Sequence, residues 1–188
     1  MELTTLGKRL YIDYDTCIGC ETCEMVCKFV HGQPRIQMTR TVEGVMLPLY
    51  CQQCERPMCI KSCPHQAVRR DAQGVIVLDR ERCPGCQTRD CLMACPFAAM
   101  FITPGVTTAV KCDLCADRRD RGLGPACVAM CPCGAIHYVT HAEAKCLQTP
   151  EAMAAFKRVI AHIRPQLSSP DPDLTPDLDA ASNSTCRT

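Results

Sequence analysis

Sixteen of the 19 cysteines in this 188-residue chain fall into four groups of four. In every group two residues separate the first two cysteines and three residues separate the last two. The groups, in chain order, are Cys17, Cys20, Cys23 and Cys27; Cys51, Cys54, Cys59 and Cys63; Cys83, Cys86, Cys91 and Cys95; and Cys112, Cys115, Cys127 and Cys131. Thiolates bind metal, and sixteen of them at these spacings predict four [4Fe–4S] clusters with four ligands each.

The spacing favours iron–sulfur clusters over zinc. The first group reads C-x2-C-x2-C-x3-C, which is the ligand run of bacterial ferredoxins, although Lys28 stands where a proline usually follows. Zinc sites typically pair C-x2-C knuckles or add histidines. The chain has five histidines, and none has a ligand-like spacing inside a group. A zinc or redox-sensing module remains the alternative, because cysteine density alone does not separate these classes.

A tight loop and the helix after it are the elements that must position each group. Three cysteines in a loop can wrap three corners of a cubane, whereas the fourth, in the first turn of the helix, points away toward a neighbouring cluster. Gly19 and Gly85 directly precede the second cysteine of their groups, where we expect the backbone to pass close to the cluster. The segment from Val68 to Leu78, with Asp71 and Gly74 as turn residues, predicts a hairpin.

The groups also repeat along the chain. The same interval separates Cys17 from Cys83 and Cys20 from Cys86, and a short β-like run ending in aspartate precedes both groups. This indicates an internal duplication of a two-group unit.

Composition limits the other functions that the chain could have. It contains four Phe, four Tyr and no Trp, which is fewer large side chains than a conventional core of this size buries. We therefore expect something other than side-chain packing to fill part of the interior. The net charge of +1 gives no overall attraction to nucleic acid. No apolar run approaches about 18 residues and no secretory pattern is present at the start, so we expect a cytoplasmic protein without a membrane span. Dinucleotide-binding and P-loop motifs and a nucleophile–base pair are absent from the sequence, which predicts a non-catalytic role.

The motifs resemble those of a known family, the four-cluster ferredoxin-like electron-transfer subunits of molybdenum and tungsten oxidoreductases. Formate dehydrogenases and dimethyl-sulfoxide-reductase-type enzymes have such subunits, and relatives serve hydrogenases, carbon monoxide dehydrogenase and aldehyde oxidoreductases. The resemblance runs from about residue 9 to residue 139. The matching stretches are CIGCETC at 17–23, CQQCERPMC at 51–59, KCDLC at 111–115, GPAC at 124–127 and CP at 131–132.

The resemblance implies which thiols share a cluster. The four implied sets are Cys17, Cys20, Cys23 and Cys131; Cys112, Cys115, Cys127 and Cys27; Cys51, Cys54, Cys59 and Cys95; and Cys83, Cys86, Cys91 and Cys63. It also implies an α+β fold of two pseudo-symmetric ferredoxin-like units, built of short hairpins and helical turns. The implied segments are an outer unit of 9–44 and 106–139 and an inserted inner unit of 45–105. Beyond them, apolar spacing predicts a C-terminal helical segment of 140–164, and proline and aspartate content predicts a disordered or partner-wrapping tail of 165–188.

Several residues outside this framework are interpreted more simply. We expect Cys133 to be a small buried residue, with a spare-ligand role as the alternative, Cys146 to pack in a helix, and Cys186 to be a free thiol in the tail. His31 and His65 are interpreted as polar residues that line loops, with a proton-coupled role as the alternative. The basic run of Arg118, Arg119 and Arg121 predicts a solvated face or a docking patch. Lys111, beside Cys112, is a candidate to raise the reduction potential of a cluster.

The sequence therefore predicts a non-catalytic electron-transfer subunit with four [4Fe–4S] clusters. Its partners would be a large catalytic subunit, most simply a molybdenum or tungsten formate or aldehyde oxidoreductase, and a further redox subunit or carrier. No nucleic-acid partner is expected. The alternatives are a freestanding polyferredoxin that serves several enzymes and a subunit of a hydrogenase or carbon monoxide dehydrogenase system.

Overall fold

The computed structural model describes residues 7–40, 44–103 and 105–147, which form short strands and mostly short helices. The strands are β1 (Arg9–Ile12), β2 (Gln37–Arg40), β3 (Met46–Leu49), β4 (Val68–Arg70), β5 (Ile76–Leu78), β6 (Met100–Phe101), β7 (Val110–Lys111) and β8 (Ile136–Val139). The helices are α1 (Thr22–His31), α2 (Met58–Lys61), α3 (Asp90–Met93), α4 (Ala116–Arg119), α5 (Ala126–Ala129) and α6 (His141–Leu147). The expectations for 148–164 and for the tail, including Cys186, lie outside the described residues.

The strands form separate two-stranded antiparallel sheets. Three of them are hairpins, β2–β3, β4–β5 and β6–β7, and the second of these is the hairpin predicted from Val68 to Leu78. The fourth sheet joins the ends of the described chain, because Arg9 of β1 lies opposite Val139 of β8. The predicted α+β class is confirmed at this level. The division into two pseudo-symmetric units and their boundaries stay predictions.

Proline sets the length of three helices. The helices α2, α3 and α5 each end two residues before a cysteine that is followed by proline, namely Cys63, Cys95 and Cys131. A residue before proline is disfavoured in the α conformation, so these helices stop after about one turn. The first group has Lys28 in place of that proline, and α1 continues to His31, where Gly32 ends it at a φ of 73°.

Cysteines form a large part of the buried core. One cluster of buried residues combines Leu10, Ile36 and Leu114 with Cys23 and other cysteines. A second combines Val68, Ile76 and Met100 with Cys91. Sulfur atoms thus occupy interior positions that a conventional core would fill with larger side chains. This agrees with the scarcity of aromatic residues in the sequence.

Glycine is required at two turns for a reason that the sequence did not reveal. Gly19 and Gly85 have φ values of 66° and 73°, which only glycine adopts without strain. A Cβ atom at Gly19 would lie 2.8 Å from the Cβ of Met46, and one at Gly85 would lie 2.6 Å from the carbonyl oxygen of Thr107. Neighbouring protein atoms, and not only a nearby cluster, exclude a side chain at both positions.

A buried ion pair ties the long loop of the fourth group to the β4–β5 turn. Arg119 is 8 % exposed, and its guanidinium donates to the Asp71 carboxylate at 2.7 Å, to the side chain of Gln73 and to the Asp113 carbonyl. Arg121 is exposed, and its side chain donates to the Asp117 carbonyl. Our interpretation of the whole basic run as a solvated or docking face is therefore wrong for Arg119, since its charge is used inside the fold.

Replacing Arg119 with alanine is expected to lower the stability of the chain by about 2 kcal/mol. The change leaves the Asp71 carboxylate without its partner in a partly buried place, and removing one member of a buried pair typically costs more than the pair itself contributes. The measurement is the midpoint temperature at which the visible absorbance of the anaerobically loaded protein is lost. Arg121→Ala is the matched control and should change it little. Equal midpoints for the two variants would contradict the assignment.

Candidate iron–sulfur sites

The sixteen grouped cysteines and Cys133 are all free thiols. Cys146 lies on the helix α6, but its side chain is exposed, so our expectation that it packs is wrong. Burial raises the pKa of Cys23 to about 12 and that of Cys59 to about 11. A buried thiol keeps its proton unless a cation replaces it, and bound iron supplies that positive charge. The donor set is thus suited to metal, and the mutual positions of the thiols decide which kind of site they form.

The first neighbourhood combines thiols of the first and fourth groups. Burial is the largest cause of the raised pKa of Cys17, and the nearby thiols of Cys133, Cys131 and Cys20 raise it further. Cys23 is affected in the same way by Cys17 and Cys20. Cys133 is only partly buried, so our expectation of a small buried residue is wrong at this position.

The second neighbourhood combines the other three thiols of the fourth group with Cys27 of α1. A cavity lies between the four side chains of Cys27, Cys112, Cys115 and Cys127. Burial raises the pKa of Cys127, and the thiols of Cys115 and Cys27 raise it further. A space lined by four thiols is what a cubane with four cysteine ligands requires.

The third neighbourhood lies between the second and third groups. Burial, followed by the thiols of Cys51, Cys95 and Cys59, raises the pKa of Cys54 to about 12. Cys51, Cys54 and Cys59 belong to the second group. Cys95, which follows the helix α3, is the last cysteine of the third group.

The fourth neighbourhood is the counterpart of the third. Burial, followed by the thiols of Cys63, Cys86 and Cys83, raises the pKa of Cys91 to about 11. Cys63 follows the helix α2, which contacts α3. The second and third groups therefore each place their last thiol beside the other group.

Apart from the additional thiol of Cys133 in the first, each neighbourhood contains three thiols of one group and the last thiol of another. Within residues 7–40, 44–103 and 105–147, no three His, Cys, Asp or Glu side chains are grouped closely enough to hold a single metal ion. A cubane spaces its four thiolates more widely, because each binds a different iron. The residues present fit such a group, and the individual ligands stay predictions that are taken up below.

Backbone amides donate hydrogen bonds to several of these sulfurs. The bonds run from Arg35 to Cys27 at 3.1 Å, from Ala99 to Cys95 at 3.4 Å and from Leu114 to Cys112 at 3.4 Å. Such bonds stabilise the thiolate form and are among the factors that set cluster potentials.

His31 was interpreted from the sequence only as a polar loop residue, and its position differs. Its Nε2 atom lies 3.2 Å from the Sγ atom of Cys115. A thiolate can only accept, so His31 would hold its proton on Nε2 when Cys115 binds metal. The 84 residues between the two positions explain why no local pattern indicated this contact.

Lys111 is buried between the second and third neighbourhoods. Its Nζ atom donates to the carbonyls of Ile76 at 2.5 Å and Cys112 at 2.6 Å. None of the ion pairs among the described residues involves it. Burial raises the pKa of Cys112, Cys59 and Cys95, whereas the Lys111 charge lowers it at all three. An ammonium buried without a directly paired carboxylate is stabilised by other nearby anions, and the thiolates on both sides are such anions.

Replacing Lys111 with methionine is expected to make the clusters of the second and third neighbourhoods harder to reduce. Loss of the positive charge raises the cost of adding an electron by on the order of 1 kcal/mol at each, for an effective dielectric constant of about 20. Redox titration followed by electron paramagnetic resonance measures each potential. Lys61→Met, on the exposed surface of α2, is the control. An equal shift in the reduction potentials of all clusters, or no shift in any, would contradict the position of the Lys111 charge between these two neighbourhoods.

Short antiparallel hairpins and one-turn helices around these thiols define an iron–sulfur protein of the ferredoxin-like class. Residues 42–141 match the family model of the 4Fe-4S dicluster domain, and residues 8–29 match that of the 4Fe-4S binding domain. The chain belongs to the 4Fe-4S dicluster family of iron–sulfur electron-transfer subunits.

Curated relatives agree with this membership. A subunit of the tetrathionate reductase of Salmonella typhimurium is 38% identical over 139 residues, which cover 67% of this chain and 55% of that protein. The thiosulfate reductase electron transfer subunit PhsB of Salmonella typhi is 36% identical over 67% of this chain and 72% of its own length. The electron transport protein HydN of Escherichia coli K12 is 34% identical over 70% and 87%. The chain thus spans little more than half of the first of these relatives.

These findings confirm the predicted family and the non-catalytic electron-transfer class. They also confirm [4Fe–4S] clusters as the type of cofactor, without fixing their number. Within the described residues, no helix is both long and apolar enough to cross a membrane.

Proposed function

We propose that the chain relays electrons through four [4Fe–4S] clusters between a catalytic metalloenzyme subunit and a further redox partner. The observation that carries the proposal is the composition of the four neighbourhoods, each with three thiols of one group and the last thiol of another. Each neighbourhood supplies the four ligands of one cubane, in the sets that the family resemblance implies. When bound, the clusters supply the one-electron chemistry, and the protein fixes their spacing and surroundings.

The neighbourhoods are connected one to the next. The thiol of Cys23 acts on the pKa of Cys127, which connects the first neighbourhood to the second. The thiol of Cys51 acts on the pKa of Cys112, which connects the second to the third. The third and fourth neighbourhoods are connected because Cys63, after α2, lies in the fourth and Cys95, after α3, lies in the third. We therefore propose the order first, second, third, fourth for electron passage, with Lys111 at its middle step.

The proposed unit boundaries follow from the same connections. The pairing of β1 with β8 supports an outer unit of 9–44 and 106–139 around the first two neighbourhoods. The hairpin β4–β5 lies within the proposed inner unit of 45–105 and supports it, whereas β6–β7 crosses the boundary between the two units, because β7 lies at Val110–Lys111.

The catalytic partner is proposed to be a molybdenum or tungsten oxidoreductase. The relatives are named as subunits of tetrathionate, thiosulfate and dimethyl sulfoxide reductases and of a formate dehydrogenase. Sulfur compounds are therefore candidate substrates of the catalytic partner, in addition to the formate or aldehyde expected from the sequence. Anaerobic purification from the source cell tests the proposal. We expect a large catalytic subunit at fixed stoichiometry, whose reaction with its acceptor stops when this chain is removed.

The freestanding polyferredoxin is the second candidate, favoured by the similarity to HydN, which is named only as an electron transport protein. Recovery of the chain as a monomer that exchanges electrons with several unrelated enzymes at similar rates would establish that role and contradict the subunit proposal.

Metal analysis gives a direct prediction. Four cubanes predict about sixteen iron and about sixteen sulfide per chain in anaerobically purified protein. Iron, acid-labile sulfide and zinc are measured on the same sample. Stoichiometric zinc with little sulfide would contradict the cluster proposal, and about eight iron with eight sulfide would reduce it to two clusters.

A further inference from the structure

The first neighbourhood contains one thiol more than a cubane uses. Cys133 lies two residues after Cys131, and the two Sγ atoms are 3.7 Å apart. Of the thiols that raise the pKa of Cys17 beyond the effect of burial, Cys133 acts more strongly than Cys131. Cys133 thus lies near Cys17 of the first group, as Cys131 does.

The short distance between the two sulfurs limits what they can do together. Ligands of a cubane bind different irons and are spread over its corners. Two thiols 3.7 Å apart can therefore reach the same iron but are poorly placed to bind two different ones. A small rotation of either side chain would decide which of them binds.

Comparison of the internal repeats strengthens the case for Cys133. In the third group the amide of Ala99, four residues after Cys95, donates to the sulfur of that last cysteine. The equivalent residue in the fourth group is Ala135, and its backbone, followed in effect by that of Ile18, lowers the pKa of Cys133. The backbone four residues after the last cysteine thus lies beside the sulfur of that cysteine in the third group and beside Cys133 in the fourth.

We propose that Cys133 is an alternative fourth ligand of the cluster held by Cys17, Cys20 and Cys23, and that it exchanges with Cys131. The inference rests on the proposed four-cluster function. In the exchange one iron–sulfur bond to Cys131 breaks and one to Cys133 forms. The proton of the incoming thiol passes to the departing thiolate, and no electron is transferred.

The test compares two last-position cysteines. In Cys131→Ala we expect the iron content of the wild-type protein and an unchanged number of clusters in electron paramagnetic resonance spectra, because Cys133 takes the place of the lost ligand. The matched control is Cys63→Ala, since the residue two positions after Cys63 is His65, which offers no thiol. That variant should lose between about one and four irons, as an incomplete or absent cubane.

The double variant Cys131→Ala/Cys133→Ala should then lose iron as the control does, whereas Cys133→Ala alone should not. Loss of iron in Cys131→Ala equal to that in Cys63→Ala would overturn the inference. The inference would also be overturned if neither Cys131→Ala nor Cys131→Ser accumulated as folded protein although Cys133→Ala did. A wild-type protein without iron and sulfide would instead contradict the proposed function, so the two failures are distinguishable.

Discussion

Replacing Cys27 with alanine is expected to remove the cluster of the second neighbourhood and to leave that of the first intact. Cys27 and Cys23 lie one turn apart on α1, yet they belong to different neighbourhoods. The Cys27 sulfur accepts the amide of Arg35 and lines the cavity shared with Cys112 and Cys127. Its loss opens one corner of that cubane, while the thiols of the first neighbourhood keep their positions.

Iron content should fall from about sixteen to between about twelve and fifteen, according to whether the cubane is lost or keeps three irons. Electron paramagnetic resonance of the reduced protein identifies which signal changes. Cys20→Ala, which alters an exposed thiol of the same group, is the matched comparison and should affect the first cluster. Loss of the same signal in both variants would contradict the exchange of ligands between groups.

Removal of all clusters by an iron chelator is expected to unfold most of the described chain. The sheets have only two strands each, and isolated two-stranded sheets are marginal in water. Four of the six helices described have four residues, far below the length at which a helix is stable alone. The fully buried side chains include few large ones, such as Leu10, Ile36 and Ile76, so metal–thiolate bonds must provide much of the cohesion.

Far-ultraviolet circular dichroism and limited proteolysis measure this loss. We expect the dichroism of the chelated protein to approach that of a disordered chain, and iron with sulfide under reducing conditions to restore it. Protein treated with chelator already saturated with iron is the control. A chelated chain that keeps the holoprotein's dichroism and melts cooperatively would show that the apolar core is sufficient, contrary to our expectation.

Local patterns carried most of what the sequence could predict. The cysteine spacing indicated the cofactor, and the prolines after Cys63, Cys95 and Cys131 account for the short helices. The β4–β5 hairpin was evident from its turn residues. Each of these features depends on residues that are close in sequence, where steric preference and ligand geometry act directly.

Contacts between distant segments were not predictable in this way. The pair of Arg119 and Asp71 spans 48 residues, and its members carry no local pattern that distinguishes them from surface charges. Lys111 was noticed only for its place beside Cys112, and its burial between two neighbourhoods depends on the packing of β7 against β5. Cys133 was misinterpreted because sequence does not reveal where a thiol beside a turn points.

The pairing of β1 with β8 has a consequence for the order of events during protein synthesis. The ribosome makes β1 and the first cysteine group early, but Cys131 and the partner strand β8 are among the last described parts to emerge. With the proposed ligands, neither of the first two clusters can be completed until then, whereas all ligands for the other two have been made once Cys95 is in place. Cluster insertion would therefore proceed from the middle of the chain outward, and the cysteines from Cys17 to Cys27 stay open to oxidation longest.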